Sequence, residues 1–179
     1  MNTREMKSKI KTSISSGLTK SQVFAQLSNP ETNVRRLASL IAAHPDPRLR
    51  AEHNGKVTIL LALMLVQSLL IFFAMVGALG ESDSGGKWVV GALIAPIPLL
   101  FAWGFYRNVA AAYTIYIGLA IIQMPKLLEG ATSEPISTVI AFALNVAMLA
   151  FVWYVRNKLF PDLSFLGPRK MHGQYVFTS

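Results

Sequence analysis

Four long stretches of apolar residues alternate with polar segments along the chain. They cover residues 57–80, 88–106, 109–128 and 135–155, and Lys126 is the single charged residue within them. A helix needs roughly 20 apolar residues to cross a hydrocarbon core about 30 Å thick. The third stretch reaches that length only if Lys126 extends its ammonium to the interface, and we expect Pro125 to kink or end its helix. The pattern predicts an all-α integral membrane protein with four transmembrane helices.

The segments between these stretches alternate in charge. Ten Lys and Arg residues against four acids precede the first stretch, and four bases against Asp162 follow the last. The turn Arg107-Asn108 is basic, whereas residues 81–87 and 126–134 each hold two acids and one base. Because cytoplasmic loops carry the excess of Lys and Arg, both termini are expected in the cytoplasm. The two-residue turn also predicts that the second and third helices form a tight antiparallel hairpin.

The same pattern divides the chain into three parts. Residues 1–56 form a short basic helical region in the cytoplasm, residues 57–155 the transmembrane domain, and residues 156–179 a basic cytoplasmic tail. Met6, Ile10 and Ile14 recur every four positions, which predicts a basic amphipathic helix at a membrane surface. The bases expected to contact anionic lipid are Lys7, Lys9, Lys11, Arg48, Arg50 and Lys56.

Two further short helices are expected in the N-terminal region. Thr19 and Gln22 have the spacing of a capping box, and Asn29-Pro30-Glu31 is expected to start the next helix with proline at its first position. The buried face of that helix is predicted to be Val34, Leu37, Leu40 and Ile41. A helix-turn-helix that binds DNA through Arg35 and Arg36 is one interpretation. We favour a helical hairpin that packs on itself or on the membrane, because the turn lacks the usual glycine.

Composition and motifs limit the kinds of reaction and ligand that we expect for this protein. Of 179 residues, 53% are hydrophobic and 15% charged, with a formal charge of +8 and no cysteine. His44, Asp46 and His53 lack the spacing of metal ligands, and phosphate-binding or hydrolase motifs do not occur. The apolar stretches contain no ionisable pathway of the kind that pumps and intramembrane proteases need. We therefore predict a non-enzymatic protein without a metal or cofactor.

Some polar residues and prolines interrupt the apolar stretches. Gln67, Gln123 and Asn145 can form hydrogen bonds between the helices of this chain, or with a membrane helix of a partner. We name these three residues as partner-binding candidates. Pro96 and Pro98 predict a kink in the second helix, and a broken helix lining a cavity is the alternative.

Three segments resemble a known group of proteins. They are AFVWYVRNKLFPDLSFLGPRKMHGQYVF from Ala150, KLLEG from Lys126 and IPLLFAWGFY from Ile97. On these segments the chain resembles a family of small uncharacterised four-helix inner-membrane proteins of Gram-negative bacteria. The resemblance implies a multi-pass protein of the bacterial inner membrane and carries no functional residue. In size and architecture the chain is also similar to membrane immunity proteins that protect bacteria from pore-forming toxins.

These observations lead to one functional expectation and two alternatives. We expect a protein that acts by protein–protein interaction in the membrane, as an immunity protein that neutralises a membrane-inserted toxin. A small passive pore or a lipid-handling protein is the first alternative. A membrane-tethered helix-turn-helix regulator is the second, and nucleic acid is the partner we favour least. Membrane lipids are the other expected partner.

Overall fold

A computed structural model describes residues 2–29, 32–79, 94, 96–128, 135–165 and 167–178. These residues form helices and very short strands that belong to two compact units. The terminal unit comprises Met1–Arg50 with Arg156–Ser179, and the membrane unit comprises Ala51–Val155. In chain order the elements are α1 Thr3–Ser15, α2 Lys20–Leu27, α3 Val34–Ala42, α4 Pro47–Glu52, α5 Asn54–Leu79, α6 Ile97–Tyr106, α7 Ala110–Leu128, α8 Pro135–Leu159, β1 Leu163–Ser164, β2 Gly167–Pro168, β3 Lys170–Met171 and β4 Gln174–Tyr175.

A small apolar core holds the first three helices of the terminal unit together. Its fully buried members are Met6, Ile10, Val23, Leu37 and Ile41. The predicted apolar stripe of α1 therefore packs inside the protein, with Met6 and Ile10 almost completely buried. The bases of the helix remain exposed, so any contact of α1 with lipid rests on charge and not on insertion of this stripe.

Local capping signals set the starts of α2 and α3. The predicted capping box is confirmed, because Thr19 Oγ1 accepts the Gln22 N–H at 3.3 Å and Gln22 Oε1 accepts the Thr19 N–H at 2.9 Å. The predicted start of the next helix falls on Asn29-Pro30-Glu31, of which Pro30 and Glu31 lie outside the described residues. That helix begins at Val34, because the Asn33 side chain accepts the N–H of Arg36 and caps it there.

Residues after α8 complete the terminal unit. Strands β1 and β2 pair antiparallel, as do β3 and β4. The ring of Phe24 on α2 lies 5.8 Å from that of Tyr175 and 5.4 Å from that of Phe177, measured between centroids. Phe177 packs against the helical core. The C-terminal segment is thus folded onto the N-terminal helices, an arrangement that the sequence analysis did not predict.

The membrane unit contains the apolar helices. Three described helices, α5, α7 and α8, are long and apolar enough to cross a membrane, and α6 is a shorter apolar helix. The first, third and fourth predicted stretches therefore correspond to helices. Residues 80–93 and 95, which include the beginning of the second stretch, lie outside the described residues. Helix α7 does not end at Pro125 but continues to Leu128.

The predicted tight hairpin between the second and third stretches is confirmed for its described part. Helices α6 and α7 are joined by three residues, of which Asn108 has a positive φ of 51°. Ring pairs follow the antiparallel course: Phe105 lies 4.5 Å from Tyr113, and Phe101 lies 5.3 Å from Tyr116. A Cβ added at Gly104 would lie 2.5 Å from the Cβ of Ala112. Only glycine therefore permits this approach of the two helices.

Replacement of this glycine is the first test of the fold. We expect Gly104→Ala to lower the free energy of unfolding by about 1–3 kcal/mol, the usual cost of overpacking. Thermal unfolding of the purified protein in mild detergent measures the effect. Gly118→Ala is the matched control, because no atom lies within 4 Å of a Cβ at that position on α7. A Gly104→Ala variant as stable as the control would contradict the close packing.

Candidate functional site

A buried ion pair connects the two ends of the chain inside the terminal unit. Lys20 is the first residue of α2, and its Nζ donates to Asp162 Oδ2 at 2.7 Å. Both side chains are almost inaccessible, at 3% and 1% exposure. The other carboxylate oxygen accepts the backbone N–H and the hydroxyl of Thr178 at 2.6 and 2.5 Å. One carboxylate thus holds α2, the turn after α8 and the C-terminal segment together.

The electrostatics of Asp162 follow from these contacts. Burial acts to raise the pKa of its carboxyl group, but the hydrogen bonds from Lys20 and Thr178 outweigh burial and hold the pKa below the ordinary value. A carboxyl whose pKa is lower in the folded state stabilises that state above its ordinary pKa of 3.8. This contribution is lost as the pH falls through the pKa of the folded state.

A second buried cation supports the same region. Arg156 lies in the last turn of α8 and is 1% exposed. Its Nη2 donates to the carbonyl oxygen of Ser164 at 2.8 Å, and its Nη1 donates to Asn157 Oδ1 at 3.3 Å. The guanidinium therefore fixes strand β1 relative to the end of α8. Sequence reasoning assigned no role to Arg156 beyond its charge.

The excess positive charge of the protein belongs to the terminal unit. That unit has thirteen Lys and Arg residues against four Asp and Glu, a formal charge of +9. The membrane unit has four against five, a formal charge of −1. A compact basic body of this kind attracts anionic partners, most strongly at low ionic strength.

The structure divides the six predicted lipid-contacting bases into two groups. Five are exposed residues of the terminal unit, and one of these, Lys9, forms a helical ion pair with Glu5 at 3.2 Å. Lys56 belongs to the membrane unit, where its Nζ donates to the Tyr154 hydroxyl at 3.1 Å and lies 4.9 Å from the ring centroid. Lys56 thus links the beginning of α5 to α8. The exposed five are Lys7, Lys9, Lys11, Arg48 and Arg50.

His44 and His53, which lie near acids in the sequence, do not form a metal site with described residues. His44 belongs to the terminal unit and His53 to the membrane unit. Within the described residues, no group of three His, Cys, Asp or Glu side chains is close enough to hold a metal ion. Burial lowers the pKa of His44, and the charges of Lys20 and Lys11 lower it further. The imidazole is therefore neutral at neutral pH.

The three partner-binding candidates are not brought together by hydrogen bonds. Gln67 is half-buried on α5, Gln123 is exposed on α7 and Asn145 is half-buried on α8. The Oδ1 atom of Asn145 is inaccessible and has no hydrogen-bond partner within the described part of the chain. In hydrocarbon such an acceptor costs several kcal/mol, so Asn145 offers an unused hydrogen-bonding position.

The two prolines of the second stretch lie at the beginning of α6. Pro96 immediately precedes the helix and Pro98 is its second residue. Proline is tolerated in the first helical turn, where the backbone N–H has no intrahelical partner. Pro96 and Pro98 therefore lie where a helix starts. The predicted kink stays a prediction, because residues 80–93 and 95 are outside the described residues.

Comparison of the chain with protein-family models, with curated proteins and with solved structures gives no match.

Removal of the buried carboxylate tests the importance of the ion pair. We expect Asp162→Asn to lower the free energy of unfolding of the terminal unit by about 3–5 kcal/mol, because Lys20 is left as an unpaired buried charge. Resistance of the full-length protein to limited trypsin digestion at pH 7 measures the loss. The difference in the free energy of unfolding between variant and wild type, measured at acid pH by denaturant unfolding because trypsin is inactive there, should begin to shrink as the pH falls below the ordinary carboxyl pKa of 3.8. It should be smallest below the lower pKa of the folded state, where the native carboxyl is also protonated.

A double variant separates charge from packing. Lys20→Met combined with Asp162→Leu removes both charges together, so we expect it to recover much of the lost protease resistance. An Asp162→Asn variant that resists trypsin as well as the wild type would show that the pair does not hold the terminal unit together.

Proposed function

We propose that the chain crosses the membrane four times and that both of its end segments lie on the same side. Support comes from the buried contact between Lys20 and Asp162, which precede and follow all the apolar helices. Two side chains in direct contact cannot lie on opposite sides of a bilayer. This contact supports an even number of crossings between them, whereas three described helices are long enough to span.

The short helix α6 supplies the missing crossing in this proposal. Its ten residues form the second half of the predicted stretch 88–106, and its antiparallel packing against α7 suits consecutive spans. The +9 charge of the terminal unit favours the cytoplasmic side of a bacterial inner membrane.

Topology reporters test the four-span arrangement. Fusions after Asn2 and at Ser179 should report cytoplasmic exposure, and fusions after Ser84 and Ser133 should report periplasmic exposure. The measurement is paired alkaline phosphatase and fluorescent-protein activity in intact cells. A C-terminal reporter in the periplasm with an N-terminal reporter in the cytoplasm would contradict an even number of crossings.

We further propose that the protein is non-enzymatic and acts by binding another protein within the membrane, as an immunity protein against a membrane-inserted toxin. The observation that supports this is the buried oxygen of Asn145 in the middle of an apolar helix, which has no hydrogen-bond partner among the described residues. The side chain of Asn145 is only half-buried, so a turn of its amide group would bring this inaccessible oxygen to a donor on a partner's membrane helix. Such interhelical hydrogen bonds stabilise helix association by about 1–2 kcal/mol in model peptides.

Substitution of Asn145 tests this interaction. We expect Asn145→Leu to leave the isolated protein as stable as the wild type, or more stable, because the unpaired oxygen is removed. The same variant should lose protection of cells challenged by a toxin-secreting competitor, and lose the protein that co-purifies in mild detergent. Thr114→Val is the matched control, because that hydroxyl already donates to the Ala110 carbonyl of its own helix at 3.2 Å.

Two results would contradict the proposal. In the first, a deletion strain survives the competitor as well as its parent. In the second, Asn145→Leu and Thr114→Val affect protection to the same degree.

A nucleic-acid-binding regulator is the second candidate. The observation that favours it is the packing of α1, α2 and α3 around one core, with Arg35 and Arg36 exposed in the first turn of α3. This candidate predicts that the full-length protein binds duplex DNA with an affinity that falls steeply with salt. It also predicts that Arg35→Gln and Arg36→Gln weaken that binding equally.

A further inference from the structure

A polar groove lies in the terminal unit between the beginning of α3 and the C-terminal hairpins. Its volume is about 250 Å³, and it is lined by Arg35, Ser164, Gly167, Pro168, Lys170 and Tyr175. Arg35 comes from one wall, and the remaining residues come from β1, β2, β3 and β4. The groove is therefore formed only when the two ends of the chain fold together.

The lining combines two cations with two hydroxyl groups. Arg35 and Lys170 supply the positive charges, Ser164 and Tyr175 supply the hydroxyls, and no carboxylate is among the lining residues. Within the described part of the chain, neither cation forms an ion pair with an acid. The acid closest in sequence to Lys170 is Asp162, whose carboxylate already accepts from Lys20 and Thr178. Among the residues that the structure describes, no acid thus neutralises the positive charge of the groove.

Several contacts hold these groups in place. Arg35 is the second residue of α3, where the Asn33 cap fixes the helix start and the helix dipole adds partial positive charge. The carbonyl of Ser164 is held by Arg156. Lys170 and Tyr175 are paired across the β3–β4 hairpin, with the ammonium 4.6 Å from the ring centroid. The ring of Tyr175 also makes an edge contact with the ring of Phe24 on α2.

This arrangement suits an anion with several acceptor oxygens. The planar guanidinium of Arg binds phosphate in a two-pronged manner, Lys acts as a point charge, and hydroxyls donate to further oxygens. A phosphate monoester presents three unesterified oxygens, and a phosphodiester presents two unesterified and two bridging oxygens. In both the oxygens are arranged tetrahedrally and can accept from side chains on several sides, whereas the two oxygens of a carboxylate lie in one plane.

We propose that this groove binds a phosphate group, carried by an anionic phospholipid headgroup or by a soluble phosphorylated compound. This site is separate from the partner contact proposed at Asn145, and the phosphate proposal does not depend on that contact. Both ends of the membrane unit continue directly into the terminal unit along the chain, so a bilayer that holds the apolar helices tethers the terminal unit and raises the effective concentration of phospholipid headgroups for it.

Calorimetric titration of the full-length protein in neutral detergent tests the proposal. The probes are dioctanoyl phosphatidylglycerol and glycerol 3-phosphate, with sodium acetate as the anion that lacks phosphate. We expect saturable binding of at least one phosphate probe and none of acetate. Binding of the lipid about tenfold or more tighter than glycerol 3-phosphate identifies a headgroup site, whereas similar affinities identify a site for soluble phosphates.

The chain supplies matched controls next to each cation. We expect Arg35→Gln and Lys170→Gln each to weaken phosphate binding about tenfold or more, as the loss of a hydrogen bond to a charged group predicts. Arg36→Gln and Arg169→Gln remove the same charge from the adjacent exposed positions, which do not line the groove. These two control variants should bind within about twofold of the wild type, because surface charges contribute little individually.

Retained protease resistance of each variant establishes that it is folded. Lys170→Arg, which keeps the charge, should recover most of the affinity lost in Lys170→Gln. Equal losses of phosphate affinity in all four glutamine variants would show a diffuse electrostatic attraction and would contradict a phosphate site in the groove. Binding of duplex DNA but of neither phosphate probe would also overturn it.

Discussion

The buried contact between Lys20 and Asp162 is the constraint on which the rest of the structure depends. The two residues are 142 positions apart, and the entire membrane unit lies between them. A buried ion pair of this kind adds little net stability over an apolar pair, because desolvation offsets most of the attraction. Its consequence is specificity, since among the described residues Lys20 and Asp162 form an ion pair with each other and with no other charged side chain. The order of the chain has a second consequence. The hydrogen bonds from Lys20 and Thr178 to Asp162 form only after α8 has been synthesised.

Charged and apolar residues are divided between the terminal unit and the membrane unit. The membrane unit exposes large apolar side chains over most of its surface, as expected for helices surrounded by lipid. The terminal unit gathers the excess positive charge from two sequence segments, and Phe177 of the C-terminal segment packs against a core formed by the N-terminal helices. Lys56 and Tyr154 connect α5 and α8 near their ends, at positions where lysine and tyrosine commonly lie at a membrane interface. The excess charge and the buried ion pair therefore belong to the terminal unit, and the apolar surface belongs to the membrane unit.

Sequence patterns predict the elements of this protein better than their tertiary arrangement. Apolar stretches and the Thr19 capping box depend on neighbouring residues, and both are found in the structure. The sequence offers two signals for the start of α3, the proline at Pro30 and the cap at Asn33, and the described helix begins after Asn33. Two-residue strands such as β1 and β3 are too short to show a periodicity of two. The pairing of Lys20 with Asp162, and the groove that depends on it, have no local signature.

The two proposed interactions differ in their physical origin and can therefore be separated. Asn145 lies in an apolar helix, where a hydrogen-bonding group without a partner destabilises the isolated chain. Its energetic benefit arises only when a donor enters from outside, so the effect of this residue belongs to association within the lipid. Arg35 and Lys170 are solvated in the free protein. When an anion binds, it displaces the water and counterions around these two side chains. Association through Asn145 should therefore be insensitive to salt, whereas phosphate binding in the groove should weaken as ionic strength rises.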